Sequence, residues 1–138
     1  MWKDRLRDFR RFLRESQQIK DQLRALEGQI YAPKAQQFTA MPHGQGGEHR
    51  SMDELAIRHA ELQELYRGQL AAVEAEQLAI EKAMMVLTPE QRKIIRLYYF
   101  DALKWEDVCV RASYEWAQTH RLHAAALRAL EEAEHGKA

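Results

Sequence analysis

Six histidines and one cysteine are the residues of this chain with the widest chemical range, and their spacing limits what they can do. His120 and His123 lie three apart, a step that some metal sites use on a helix, yet no cysteine and no second histidine pair accompanies them. Position 123 also falls on the apolar side of its helix, so no metal is expected there. His43 and His49 sit in a Gly- and Pro-containing stretch and carry less still. Cys109 has no base spaced to activate it and no second cysteine to pair with. It reads as a small buried residue where two helices cross. No Ser-His-Asp set, phosphate-cradling glycine loop or paired carboxylate appears, so the chain is expected not to be an enzyme and to need no cofactor.

A second kind of chemistry is electrostatic. Lys and Arg number 21 and so do Asp and Glu, which leaves no net basic footprint of the kind that announces nucleic acid by itself. The distribution is uneven. Residues 1–34 carry nine basic and five acidic side chains, residues 52–87 three basic and seven acidic, and residues 88–138 eight of each. Arg5, Arg7, Arg10, Arg11 and Arg14 could meet phosphate. Pairing with the acidic 52–87 segment is the simpler account of them. Glu131, Glu132 and Glu134 read as a solvated tail.

These residues must be held by helices. With Gly 6, Pro 3 and 30% charged residues in 138, the chain has the composition of one domain with an elongated amphipathic element, and an all-β fold is nearly excluded. Trp2, Leu6, Phe9 and Leu13, then Ile19, Leu23, Leu26 and Ile30, recur at helical steps and predict a helix over residues 2–31. A loop at 32–50 holds Pro33, Pro42, Gly44, Gly46 and Gly47, which cannot continue it. Ser51 and Glu54 form a capping box that starts a long helix through residue 87, with Leu55, Leu62, Leu65 or Tyr66, Val73, Ile80, Met84 and Leu87 on one stripe. The basic first helix is its expected partner, giving an antiparallel hairpin or coiled-coil element over 1–87. No apolar run reaches the ~20 residues of a membrane span and no secretory signal is evident, which points to a soluble protein of a reducing cytoplasm.

Thr88, Pro89 and Gln91 mark a new start, with a hydroxyl cap, proline at the first helical position and an amide at the third. Short helices follow to about 104, over 105–112 and over 115–134, so residues 88–138 read as a three-helix helix-turn-helix module. Val108, Ala112, the turn residue Tyr114, and Thr119, Leu122, Ala126 and Leu130 supply its inner face. Trp116, Ala117, Gln118, His120, Arg121 and Ala124 remain on the outer face near the start of the last helix, where such a motif meets the major groove.

Residues 88–100, Trp105-Glu-Asp-Val-Cys109, Tyr114 and 121–130 follow the pattern of the fourth region of bacterial sigma factors. Together with the Met41-Pro-His-Gly loop and the long helix, the chain resembles phage sigma-like transcriptional regulators of the ArpU/RinA type. The resemblance implies duplex DNA bound by the 115–124 face, with RNA polymerase as a further partner. Lys104 and Arg111 are then placed to neutralise phosphates. A homodimer is expected, because one module with so few basic residues binds weakly and a pair doubles the contacts. The chain departs from the pattern at three places: Glu115-Trp116-Ala117 opens the recognition helix, Ala102 stands where a glycine is usual, and Lys104 stands at a cap position. Two other readings share these residues. One is a protein-interaction module that docks polymerase or a host factor on the Trp116 face. The other is a small subunit of a DNA-packaging assembly.

Overall fold

The computed structural model describes residues 1–31 and 51–136, and the 32–50 loop lies outside them. The fold is all-α, with no strand among the described residues. Helix α1 spans Trp2–Tyr31 and α2 spans Met52–Ala83, tightening into a 3-10 turn at Met84–Val86. Three shorter helices follow: α3 at Pro89–Ile95, which widens into a π-helical turn at Arg96–Phe100, α4 at Trp105–Ala112, and α5 at Trp116–Gly136.

The starts of two helices are written in local sequence. The Ser51 backbone N–H donates to Glu54 Oε1 at 3.2 Å while the Glu54 N–H donates to Ser51 Oγ at 3.1 Å, which is the reciprocal box that satisfies otherwise orphaned amides. Thr88 and Gln91 repeat it at 3.1 and 3.2 Å, with Pro89 at the first helical position.

Two compact units are present. One contains Met1–Arg14 and Ala72–Ala138, the other Glu15–Ala71. In the second, antiparallel stretches of α1 and α2 meet along a single seam. Leu23, Leu26 and Leu55 are buried there, the Ser16 hydroxyl bonds Gln69 at 3.2 Å, and His59 Nε2 lies 3.0 Å from Glu27. Of the pair Leu65 and Tyr66, Tyr66 takes the seam and Leu65 stays exposed.

The first unit has a deeper centre. Trp2, Leu6 and Phe9 of α1, Val73 and Ile80 of α2, Met84 and Leu87 of the turn after it, Ile95, Tyr99, and Ala126 and Leu130 of α5 form one buried cluster. The start of α1 is thus built into the same unit as the C-terminal helices. Arg5 bonds Glu76 in bidentate fashion at 2.7 and 3.1 Å, and the Trp2 backbone N–H donates to Glu131 at 2.6 Å. Arg96 is paired with Glu81. No described helix is long and apolar enough to cross a membrane.

Candidate nucleic-acid interface

The site expected from sequence is the pair α4 and α5 and the turn between them. α4 begins after Lys104, an extended residue whose side chain makes no capping bond, so Glu106 and Asp107 in its first turn supply the negative charge that the helix N-terminus favours. It ends at Ser113, which enters the left-handed region at φ 63°. The Tyr114 N–H then reaches back to the Cys109 carbonyl at 3.1 Å, closing the helix end before the chain turns into α5. The connector is three residues, 113–115.

A small apolar cluster sets how α4 and α5 pack. Ile94, Val108 and Ala112 are its buried centre, and Leu97, Tyr98, Leu103, Trp105, Tyr114 and Leu122 close around it. Tyr114 is therefore the turn hydrophobe, as its position in the motif requires. Thr119, Ala126 and Leu130 of α5 are buried and Leu122 is half-buried, so the inner face of α5 lies where the sequence pattern puts it. Cys109 of α4 is half-buried and is less enclosed than expected of a residue at a helix crossing.

Trp116, Ala117, Gln118, Arg121 and Ala124 are all exposed, as are Lys104 just before α4 and Arg111 on it. Among the described residues none of Lys104, Arg111 and Arg121 forms an ion pair within the chain, which leaves three cations unengaged. Glu106, Asp107 and Glu115 are exposed beside them, so the surface is mixed in sign.

His120 departs from the expectation. Instead of projecting with its neighbours, its ring lies 4.4 Å from the Trp105 ring and 4.4 Å from the Trp116 ring, and its Nε2 is buried with no hydrogen-bond partner. Trp105 in turn stacks on Tyr98 at 3.9 Å and an interplanar angle of 12°. The row Tyr98, Trp105, His120, Trp116 thus links the π-helical turn to the start of α5. His120 acts in it as packing material, because aromatic faces on both sides leave its edge little access.

His123 is fixed on the inner side. Its Nε2 and the Tyr99 hydroxyl share a hydrogen bond of 2.8 Å. Burial, reinforced by the charges of His120 and Lys3, lowers its pKa to about 4, while burial pushes Tyr99 up to about 12. His120 and His123 both pack against the Trp105 ring, at 4.4 and 4.8 Å, and no group of three metal-ligating side chains occurs among the described residues. His43 and His49 lie outside those residues.

The arginines of α1 divide their roles in a way that the charge count does not anticipate. Among the described residues Arg5 is the α1 arginine that pairs with the acidic helix, through Glu76, a contact that also holds the Glu76 carboxyl below its usual pKa. Arg7 and Arg11 pair locally with Asp4 and Asp8 at 3.4 and 3.2 Å, at exposed positions. Arg10 donates to the carbonyls of Tyr98, Ala102 and Leu103 at 2.9, 3.4 and 3.2 Å, with its guanidinium 4.3 Å from the Tyr98 ring centre. It closes the carbonyl end of the π-helical turn just ahead of α4. Sequence reasoning missed this positioning residue. The available signal was a cation inside the apolar stripe, between Phe9 and Phe12.

No family model matches this chain, and neither a curated protein nor a solved structure matches it.

Proposed function

We propose that this protein is a phage-type transcriptional regulator that binds duplex DNA, with the 115–124 face of α5 in the major groove and Lys104 and Arg111 against phosphates. One observation carries the reading: α4, a three-residue turn and α5 are packed through Val108, Ala112, Tyr114 and Leu122, while Trp116, Ala117, Gln118 and Arg121 stay exposed on the side away from that packing. A helix held from behind with an open face at its N-terminal end is the geometry by which such motifs read base edges. Arg121 is its main hydrogen-bonding cation. Trp116 and Ala117 offer apolar contact to thymine methyl groups.

The test is selection of duplexes from a random library by the purified protein, then anisotropy titration of the enriched sequence against a scrambled one at several salt concentrations. An enriched motif that keeps its advantage as salt rises is the expected result, and Arg121→Ala reduces that advantage by roughly tenfold, the scale of one base contact. The reading fails if no sequence is enriched.

A second reading rests on a different observation. Trp116 is 54% exposed and Val110 is 78% exposed, with Glu115 adjacent to Trp116, and large apolar side chains next to a carboxylate suit a protein partner better than a phosphate backbone. On that reading the α4–α5 surface docks a protein such as RNA polymerase. Trp116→Ala abolishes that association and Arg121→Ala leaves it intact.

A further inference from the structure

The open side of the first four turns of α1 is sorted by charge. At ~100° per residue, Lys3, Arg7, Arg11 and Arg14 fall within an arc of ~80°, all of them exposed and clear of the buried Trp2, Leu6 and Phe9. Asp4 and Asp8 lie beside one edge of that arc and Arg10 beside the other. Beyond Asp8 comes Arg5, which pairs with Glu76 of α2. Arg10 reaches the Tyr98, Ala102 and Leu103 carbonyls just ahead of α4. The acids therefore take the α2 side of the open face, and the cations take the side next to the C-terminal helices. Charges that serve only to solvate and brace a helix alternate in sign along it.

Local pairing does not use these cations up. Arg7 and Arg11 meet Asp4 and Asp8 at 3.4 and 3.2 Å in exposed pairs, which contribute little and yield to a stronger anion. Lys3 and Arg14 form no ion pair among the described residues. The strip is also continuous with the α4–α5 surface. The Arg10 guanidinium lies 4.3 Å from the Tyr98 ring centre, Tyr98 stacks on Trp105 at 3.9 Å, and Trp105 and Trp116 flank His120 at 4.4 Å each. A packed row thus joins the edge of the strip to the start of α5. On the same side, burial lowers the His123 pKa and the charges of His120 and Lys3 add to it, which sets Lys3 close to α5.

We propose that Lys3, Arg7, Arg11 and Arg14 form a strip that grips the phosphate backbone of the duplex whose major groove α5 enters. The inference rests on the DNA-binding reading above and adds to it the cations that hold the duplex in place. Spread over ~16 Å of helix, the four face a polyanion that carries a charge every ~3.4 Å along each strand. The α4–α5 surface is itself mixed in sign, with Glu106, Asp107 and Glu115 exposed beside its cations. It supplies base contacts and leaves much of the backbone affinity to another surface.

Anisotropy titration of the full chain against the enriched duplex and its scrambled counterpart, from low to high salt, tests the strip. Replacing Arg7, Arg11 and Arg14 together by glutamine, a good helix former, keeps the circular dichroism unchanged. It weakens binding to both duplexes equally, by at least about tenfold at low salt, and lowers the slope of log K against log salt by about three. Asp4→Asn with Asp8→Asn, which frees Arg7 and Arg11, tightens binding to both. Removing three exposed cations from the other compact unit, by Arg24→Gln, Arg58→Gln and Arg67→Gln, leaves the slope as it was. An α1 variant with wild-type affinity and slope, or equal losses from the two triple variants, overturns the strip and leaves the reading by α5 standing. Salt-sensitive binding without any enriched sequence, lost in the α1 variant, keeps the strip and overturns that reading. No binding to either duplex overturns both.

Discussion

The two compact units share two helices and differ in depth. In the unit of Met1–Arg14 and Ala72–Ala138, Leu6, Ile80, Met84, Ile94, Ile95 and Val108 are at 0% exposure, whereas in the unit of Glu15–Ala71 the best-buried apolar side chains, Leu26, Leu23 and Leu55, stop at 6–7%. The cause is the number of elements that converge. Two helices share one seam, so every seam residue keeps an open flank. Where the 3-10 turn, α3, the π-helical turn and α5 are added, the flank is closed. Removing a side chain from each unit tests the contrast most strongly. Leu6→Ala leaves a cavity enclosed on all sides and is expected to cost about 4 kcal/mol, while Leu26→Ala opens to solvent, relaxes and costs about 2 kcal/mol. Urea unfolding measures both, and native-state hydrogen exchange assigns each loss to its unit. Equal losses at the two sites would mean that the two-helix seam is closed by something else, such as a second molecule.

The deeper unit also carries a titration penalty. The unfolded His123 ionises near pH 6.5, and in the fold burial holds it neutral down to about 4. Above pH 6.5 it is neutral in both states and contributes nothing. As pH falls through that window the unfolded chain takes up a proton that the folded chain refuses, so stability drops progressively and the loss is complete below about pH 4. Thermal unfolding at pH 7.5, 5.5 and 4.5 follows it. Other groups titrate in the same range, so the measure is the difference from His123→Gln, which keeps a partner for the Tyr99 hydroxyl and cannot ionise. Its melting temperature falls less steeply with acid than the wild type's. Parallel curves would exclude His123 as the source.

How far the sequence spoke for the fold depended on the range of the interaction. The Ser51 and Thr88 boxes and the stop at Ser113 were legible because each is settled within six residues. Helical periodicity likewise identified the inner face of α5 down to Thr119 and Leu130. It did not reach the partners of Arg10, since Tyr98, Ala102 and Leu103 lie about ninety residues away, and it put His120 on the open face, whereas its place depends on how Trp105 and Trp116 come together across two helices. Periodicity assigns a residue to a face. It does not say that two tryptophans will close over that face and leave an imidazole edge without a partner.

Backbone strain separates the units in the same sense as packing does. The positive-φ residues other than glycine among those described are Ala102 at 57° and Ser113 at 63°, and both belong to the deeper unit. A left-handed alanine crowds its Cβ against the backbone at a cost of about 1 kcal/mol, which persists where surrounding contacts leave no alternative. At Ala102 those contacts are specific: the Asp101 N–H bonds the Arg96 carbonyl at 2.9 Å, the Leu103 N–H bonds the Leu97 carbonyl at 3.2 Å, and Arg10 holds the Ala102 and Leu103 carbonyls from outside. The turn is over-determined, so the side chain conforms to it. Ala102→Gly relieves the crowding and loses part of the gain to the greater freedom of glycine in the unfolded chain, for a net stabilisation of about 0.5 kcal/mol. Adding Arg10→Ala to Ala102→Gly tests whether the arginine imposes the conformation. With the guanidinium gone an alanine is free to leave the left-handed region, so the benefit of glycine shrinks, and a double-mutant cycle in urea reads that coupling directly. If glycine stabilises equally with and without Arg10, the π-helical turn alone sets the geometry at Ala102, and the arginine only satisfies carbonyls that the turn has already positioned.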